Sequence, residues 1–313
     1  MEVQNVLANR IDTAGEMLYY DQACKRVLAS KIILAWILKT CLEEYRNYSV
    51  KEIADKYIEG EPEVSKAAVH ADESAEFISG MSTESASVNE HVTTFDIKFR
   101  AIIPETKAVA DMIINLEAQN DFYPGYPIVK RGIYYGSRMV SEQYGTVFTD
   151  SDYQKIKKVA SIWICPNPPE YRRNTIVEYS FKEGNIVGKT NEAKNNYDLI
   201  QVVMICLGGK GKDGYSGLLK MLDILLSRDT GPEEKKKTLK EEFDIPMTKE
   251  LEGGILDMCN LSKGVYDSAI VDAIKKLMKN KGWGIDECMD ALEVPDNRRE
   301  LYRSIVMGSF AMA

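Results

Sequence analysis

Apolar and polar residues alternate with period two along Val92-Thr93-Thr94-Phe95-Asp96-Ile97-Lys98-Phe99-Arg100-Ala101. Phe95, Ile97 and Phe99 fall on one side and Asp96, Lys98 and Arg100 on the other, which predicts a strand with one buried face and Asp96 turned away from it. After Pro104 and the connection Glu105 to Ala110 comes Met112-Ile113-Ile114-Asn115-Leu116-Glu117-Ala118-Gln119, whose apolar opening suits an inner strand. Alternation in this second strand puts Asn115, Glu117 and Gln119 on one face. Paired antiparallel, the two strands bring Asp96 and Glu117 towards a shared point. Two carboxylates with a main-chain carbonyl, that of Ala118, form the oxygen-rich ligand set that Mg²⁺ prefers.

The patterns on either side predict a layer of helices and further strands. Arg26 to Tyr45 is apolar on nearly all sides, with a narrow polar stripe, and reads as one helix packed on a sheet. Ser49 to Tyr57 reads as a second helix, opened by Ser49 with Glu52 three residues on, the spacing of a capping box. Gly60 to Asn89, rich in Ser, Glu, Ala and Gly, reads as an irregular excursion. Beyond the turn-rich Asn120 to Pro127, a helix over Tyr126 to Gln143 carries Arg131, Tyr134, Tyr135 and Arg138. Its tyrosines are placed to pack on the sheet and its arginines to reach solvent. Val159 to Cys165, Thr175 to Phe181 and Leu199 to Leu207 read as strands, the first two separated by Pro166-Asn167-Pro168-Pro169. From Leu218 onwards the chain reads as short helices: Leu218 to Ser227, Glu233 to Phe243, Thr248 to Leu261, Ser268 to Asn280, Ile285 to Leu292 and Asp296 to Val306. The expected architecture is α/β. It has N-terminal helices over 1–60, the excursion over 61–89, a mixed-sheet core flanked by helices over 90–207, and a helical C-terminal region over 208–313.

An Asp on one strand followed by Glu-x-Gln on the next, and then a helix with Arg131-x-x-Tyr134-Tyr135, resembles the PD-(D/E)xK nuclease superfamily. Within it the pattern is similar to the PD-(D/E)xK nuclease family transposases, or recombination-promoting nucleases. The resemblance covers roughly Asp21 to Phe181 and departs from the superfamily pattern at Gln119, where Glu-x-Lys has its lysine. It implies a restriction-endonuclease-like fold and a bacterial, mobile-element-associated protein. It also implies hydrolysis of DNA phosphodiesters with Mg²⁺, or Mn²⁺ as its substitute, held by Asp96, Glu117 and the Ala118 carbonyl. Gln119 would position the attacking water, supplying hydrogen bonds where a lysine supplies charge. Arg131 and Tyr135, on the flanking helix, would orient the site or touch phosphate. Glu43 or Glu44 would serve as metal auxiliaries, against their plainer reading as a solvated helix end.

Charge and composition alter this picture little. A net charge of −8 argues against a surface coated for indiscriminate polyanion binding, since affinity for nucleic acid rests largely on phosphate neutralisation. Residues 121–182 nevertheless carry nine basic against six acidic side chains. Six scattered cysteines without C-x-x-C pairs indicate neither a zinc site nor a disulfide framework and suit a reducing cytosol. His70 and His91, the two histidines, carry no chemistry by their placement. No secretory pattern opens the chain, and the apolar run Ile32 to Leu38 is far shorter than the roughly 20 residues of a membrane span, so the expectation is a cytoplasmic protein with no membrane partner. Gly208-Gly209-Lys210-Gly211-Lys212 does not satisfy the phosphate-loop pattern and reads as a flexible turn. Val265 to Val306 vaguely resembles a helix-turn-helix, but Asp286, Glu287, Asp290 and Glu293 suit packing better than a DNA groove.

Two readings follow. The first is a Mg²⁺-dependent DNA endonuclease, with a homodimer expected by analogy for cutting both strands. The second is a catalytically inactive nuclease-fold protein that binds DNA or a protein partner in a mobile element or defence system.

Overall fold

The computed structural model describes residues 20–64, 84–85, 93–94, 96–116, 122, 125–211 and 213–311. They fall into two compact units, one from Cys24 to Gly254, the other made of Ile255–Ala313 with the residues up to Ala23.

Helical residues 20–28 (α1), of which 24–28 belong to the first unit, are followed by helix Lys31–Cys41 (α2). The single helix expected over Arg26 to Tyr45 is thus broken at Ala29 and Ser30, where Ser30 takes the N-cap position of α2. Serine is a favoured residue there, a signal hidden inside an apolar run. Ser49 caps the short helix Val50–Glu52 (α3) as its spacing predicts, its Oγ accepting the Glu52 amide at 3.1 Å. A π-helical turn, Ile53–Tyr57, leads straight into strand Ile58–Val64 (β1), where the sequence reads as excursion. Gly60 and Pro62 hide this strand. It tolerates them because it lies at the sheet edge with its register shifted between Glu59 and Glu63.

Glu84–Ser85 (β2) and Thr93–Thr94 (β3) pair with each other in a separate two-stranded sheet. The strand expected over 92–101 is therefore two: β3, and Ile97–Ile102 (β4) in the main sheet, with Asp96 in the bend before β4. Periodicity shows which face a residue takes but not which partner it pairs with, so it merges the two. Val109–Leu116 (β5), helix Ile128–Ser141 (α4), Val159–Cys165 (β6), Thr175–Ser180 (β7) and Ile200–Cys206 (β8) complete the sheet. Its order is β1-β4-β5-β6-β8-β7. β1, β4 and β5 are antiparallel neighbours, β5, β6 and β8 run parallel, and β7 returns antiparallel at the far edge. All seven β6 residues are buried, so both faces of the sheet are covered there, which explains why its strands read as continuous apolar runs.

Helix α4 is seated on β6 and β8 through small residues. A Cβ on Gly132 would come 2.7 Å from Val202 Cγ1 and 3.0 Å from Trp163 Nε1, and one on Gly136 would come 2.9 Å from Ile200 Cγ2. Around them Ile128, Tyr135 and Met139 pack with Val159, Trp163, Cys165, Val202, Met204 and Cys206. At the end of α4 the Gln143 carboxamide bonds both ways to the main chain of Lys157, at 3.0 and 2.7 Å, fixing the approach to β6.

Helices Gly217–Leu226 (α5) and Pro232–Phe243 (α6) follow within the same unit. Lys235, 1% exposed, donates to the carbonyls of Leu225 and Ser227, so a buried ammonium ends α5. Helix Lys249–Lys281 (α7) replaces the two helices expected over Thr248 to Leu261 and Ser268 to Asn280, running on through the residues between them. Gly253 is exposed and a Cβ there meets nothing within 4 Å. Gly253→Ala is accordingly expected to stabilise the protein by up to ~1 kcal/mol, read as a higher denaturation midpoint at unchanged slope; an unchanged or lower midpoint would count against a helix continuous through this point.

In the second unit, Ile285–Ala291 (α8) and Asp296–Ala311 (α9) pack with the later turns of α7 around Val271, Ile274, Cys288, Met289, Val294, Tyr302 and Val306. The acids that made α8 a poor groove reader are partners for α9: Arg299 pairs with Asp290 and Arg303 with Asp286. Asp267 on α7 takes Arg298 at 3.1 Å and the Tyr302 hydroxyl at 2.7 Å. These arginines are engaged within the unit, which supports packing rather than DNA reading. Among the described residues no helix is long and apolar enough to cross a membrane.

Candidate active site

The sheet directions decide which side chains can meet. β5, β6 and β8 all end on the same side, at Leu116, Cys165 and Cys206, and β4 begins there, because Ile97 pairs with Ile114. Asp96 therefore stands at the carboxyl ends of three parallel strands, the end at which open α/β sheets bind ligands. α4 begins on this side too. So does the connection that carries Glu170, Arg172 and Arg173 into β7, and the Gly208 to Gly214 loop that leaves β8.

Asp96 does not stand alone. Its Oδ1 lies 2.8 Å from Nζ of Lys25, on α1, with the two side chains 19% and 10% exposed. Lys25 belongs to a stretch in which Ala23, Cys24, Val27 and Leu28 are all buried, and the residue is itself only 8% exposed. A buried ammonium is tolerated where a carboxylate and hydrogen bonds offset its lost hydration. No sequence pattern points to Lys25, since the contact joins residues distant in the chain. The available hint is a lysine inside an apolar helical run.

Glu117, Ala118 and Gln119 lie outside the described residues, as do His70 and His91. Among the described residues no group of three or more His, Cys, Asp or Glu side chains is gathered that could hold a metal ion. Asp96 is the one described member of the expected ligand set, and its carboxylate holds an ammonium, so these residues do not by themselves make a Mg²⁺ site.

On the polar face of β4 Arg100 is exposed, but Lys98 is not. Lys98 is 7% exposed and pairs with Glu142, just past α4, at 3.0 Å. Arg131 and Tyr135 come together, but differently from the expectation of a packed tyrosine pair under solvent-facing arginines. Tyr135 is 8% exposed, whereas Tyr134 is 47% exposed. The Arg131 guanidinium donates through Nε and Nη2 to the Tyr135 hydroxyl, at 3.1 and 2.9 Å, and lies over the Tyr135 and Trp163 rings. Arg172 lies over Phe122 and Tyr171. Glu44 is taken by Lys158, which also bonds Asp198 at 2.7 Å, and Glu43 by Lys194 at 2.7 Å. The Lys194 hydrogen bond and charge hold the Glu43 carboxyl below the usual carboxylate range. Lys158 precedes β6 and Asp198 precedes β8, at the end of the sheet opposite Asp96, so neither glutamate is an auxiliary to that residue.

No family model, curated protein or solved structure matches the chain.

The Gly208 to Gly214 loop connects a parallel strand to a helix, the setting of a phosphate loop, yet its first and last glycines serve the fold. A Cβ on Gly208 would strike Arg173 Cβ at 2.6 Å and the Asn174 amide nitrogen at 2.8 Å. Gly214, at φ +80°, lies against the Asn174 carbonyl. Among the described residues, exposed Lys130, Arg173 and Lys210, with Arg131 and Arg172, nonetheless outnumber the acids at this end of the sheet, Asp96, Glu170 and Asp213.

Proposed function

We propose that the chain is a divalent-cation-dependent DNA endonuclease built on a restriction-endonuclease-like core. The observation that carries this reading is Asp96 at the carboxyl ends of β5, β6 and β8, on the side where Lys130, Arg173 and Lys210 are exposed. Cations on the rim attract and register a phosphate backbone, and an acidic group among them is where the chemistry differs from mere binding. The element order supports it as well: a helix, three antiparallel strands, a helix, then a parallel strand, one strand more than the sequence pattern predicts.

In this reading Asp96, Glu117 and the Ala118 carbonyl are the residues that would hold the cation. Bound there, Mg²⁺ supplies charge neutralisation for the phosphate and acidity to a water. Gln119 holds the attacking water through its carboxamide, which both donates and accepts. Arg131, locked over Tyr135 and Trp163, keeps α4 in register with the strands that end at the site.

The test is cleavage of supercoiled plasmid by the purified protein in Mg²⁺, in Mn²⁺ and in EDTA. Nicked or linear product in either cation and none in EDTA is expected. DNA retardation without cutting under every condition would replace this reading with the non-catalytic one.

A further inference from the structure

The superfamily pattern resembled by the sequence has a lysine where this chain has Gln119, and the structure brings a different lysine to Asp96. We propose that Lys25 is the lysine of this site: its ammonium supplies the fixed positive charge at the reacting phosphate that Gln119 cannot. The inference rests on the endonuclease reading.

Three observations carry it. Lys25 lies on α1, whose neighbouring residues Ala23, Cys24, Val27 and Leu28 are apolar and buried, so an apolar residue would serve packing at this position at least as well. Its ammonium is placed 2.8 Å from Asp96 and not in solvent, with 10% of the side chain exposed. And Asp96 stands beside the end of β5, on the side of the sheet where β6 and β8 also finish, so a charge held on it is a charge held at that end of the sheet.

In the reaction, the water oxygen forms a bond to phosphorus while the bond from phosphorus to the departing deoxyribose oxygen breaks. The water's proton passes to solvent and the departing oxygen takes a proton from solvent. Negative charge on the non-bridging oxygens is greatest between these events. A preorganised ammonium beside Asp96 interacts with that charge more strongly than with the ground state, and so raises kcat more than it lowers KM.

Lys25 also competes for Asp96. An ammonium in contact with the carboxylate repels a divalent cation approaching the same oxygens. A charge-bearing Lys25 and a merely structural one therefore make opposite predictions. If Lys25 only props Asp96 in place, removing it loosens cation binding and slows cleavage together. If it supplies charge to the phosphate, removing it tightens cation binding while cleavage slows.

The experiment compares wild type with Lys25→Gln and Lys25→Met, which remove the charge, and Lys25→Arg, which keeps it. Melting curves are recorded on each, and rates are read on whichever charge-free variant remains folded. Mg²⁺ affinity is measured calorimetrically without DNA, and plasmid cleavage gives kcat and KM. The expected result is Mg²⁺ bound about tenfold tighter, kcat lowered by roughly 100-fold with KM little changed, and at least part of the rate restored by arginine. A folded charge-free variant that cleaves at the wild-type rate overturns the role of Lys25 and leaves the endonuclease reading standing. So does one that loses cation affinity in step with rate. Wild-type protein that binds DNA but cuts none in Mg²⁺ or Mn²⁺ overturns both.

Discussion

Asp96→Asn is expected to lower plasmid cleavage by roughly 1,000-fold or more while DNA binding changes little. A lost electrostatic partner of a transition state costs about 10² to 10³ in rate, and Asp96 is given two such tasks, holding the cation and fixing the Lys25 ammonium at 2.8 Å. Asparagine keeps the size and one oxygen of the carboxylate but carries no charge. The substitution also takes negative charge away from an ammonium whose residue is 8% exposed. Breaking a fully buried ion pair costs about 3–5 kcal/mol; with the Asp96 side chain 19% exposed the loss here is about 2–3 kcal/mol.

Stability and chemistry separate in the double variant Lys25→Met/Asp96→Asn. With both charges removed together the desolvation penalty goes too, and stability is expected to return to within ~1 kcal/mol of wild type. Cleavage should not return. A double variant that regains both would make the pair a purely structural bridge between α1 and the start of β4, and Asp96 no part of any active site.

How much of this was legible beforehand depended on whether the deciding interaction was local. β6 was read to the residue and β8 to within one residue at each end, because both are apolar runs bounded by polar or proline-rich segments. β7 was read one residue long, at Phe181. β1 was missed because Gly60, Pro62 and its acids are unlike strand residues, and only its place at the sheet edge makes them acceptable. The sequence predicts two helices parted between Leu261 and Ser268, where α7 runs on unbroken. Within the first of them a Cβ on Gly254 would come 2.9 Å from Val27 Cγ2, so that glycine is kept for close packing. Alternation puts Asp96 within a strand, whereas it stands in the bend before β4, beside the β4–β5 pairing; its partner has no local signal, since Lys25 reaches it from a helix far back in the chain and no spacing rule spans that interval. The sequence offers Arg131 and Tyr135 as site-orienting or phosphate-touching residues; that the two meet, with Arg131 over Trp163, depends on where α4 crosses β6.

That crossing underlies the second large effect. Gly132→Val is expected to destabilise the protein by roughly 3 kcal/mol, with Gly132→Ala intermediate. A single added carbon would sit 2.7 Å from Val202 Cγ1 and 3.0 Å from Trp163 Nε1, and neither can give way easily: Val202 is 1% exposed and Trp163, also 1% exposed, donates Nε1 to Ser161 Oγ at 2.8 Å. For alanine the crowding is partly offset by a helix-propensity gain of about 1 kcal/mol over glycine; valine adds branched bulk and loses much of that gain. The same chemical change has the opposite sign at Gly253, where a Cβ meets open space, so the two glycines together distinguish seating on the sheet from a general effect of helical glycine. Gly132 is followed along α4 by Tyr135, whose hydroxyl receives Arg131, so a helix lifted from β6 and β8 should also lose the Arg131 stack on Trp163. Denaturant unfolding followed by tryptophan fluorescence measures both, as a lower midpoint and an altered native-state spectrum. A Gly132→Val protein as stable as wild type would mean that α4 does not lie on these strands, and that the end of the sheet is not organised as described.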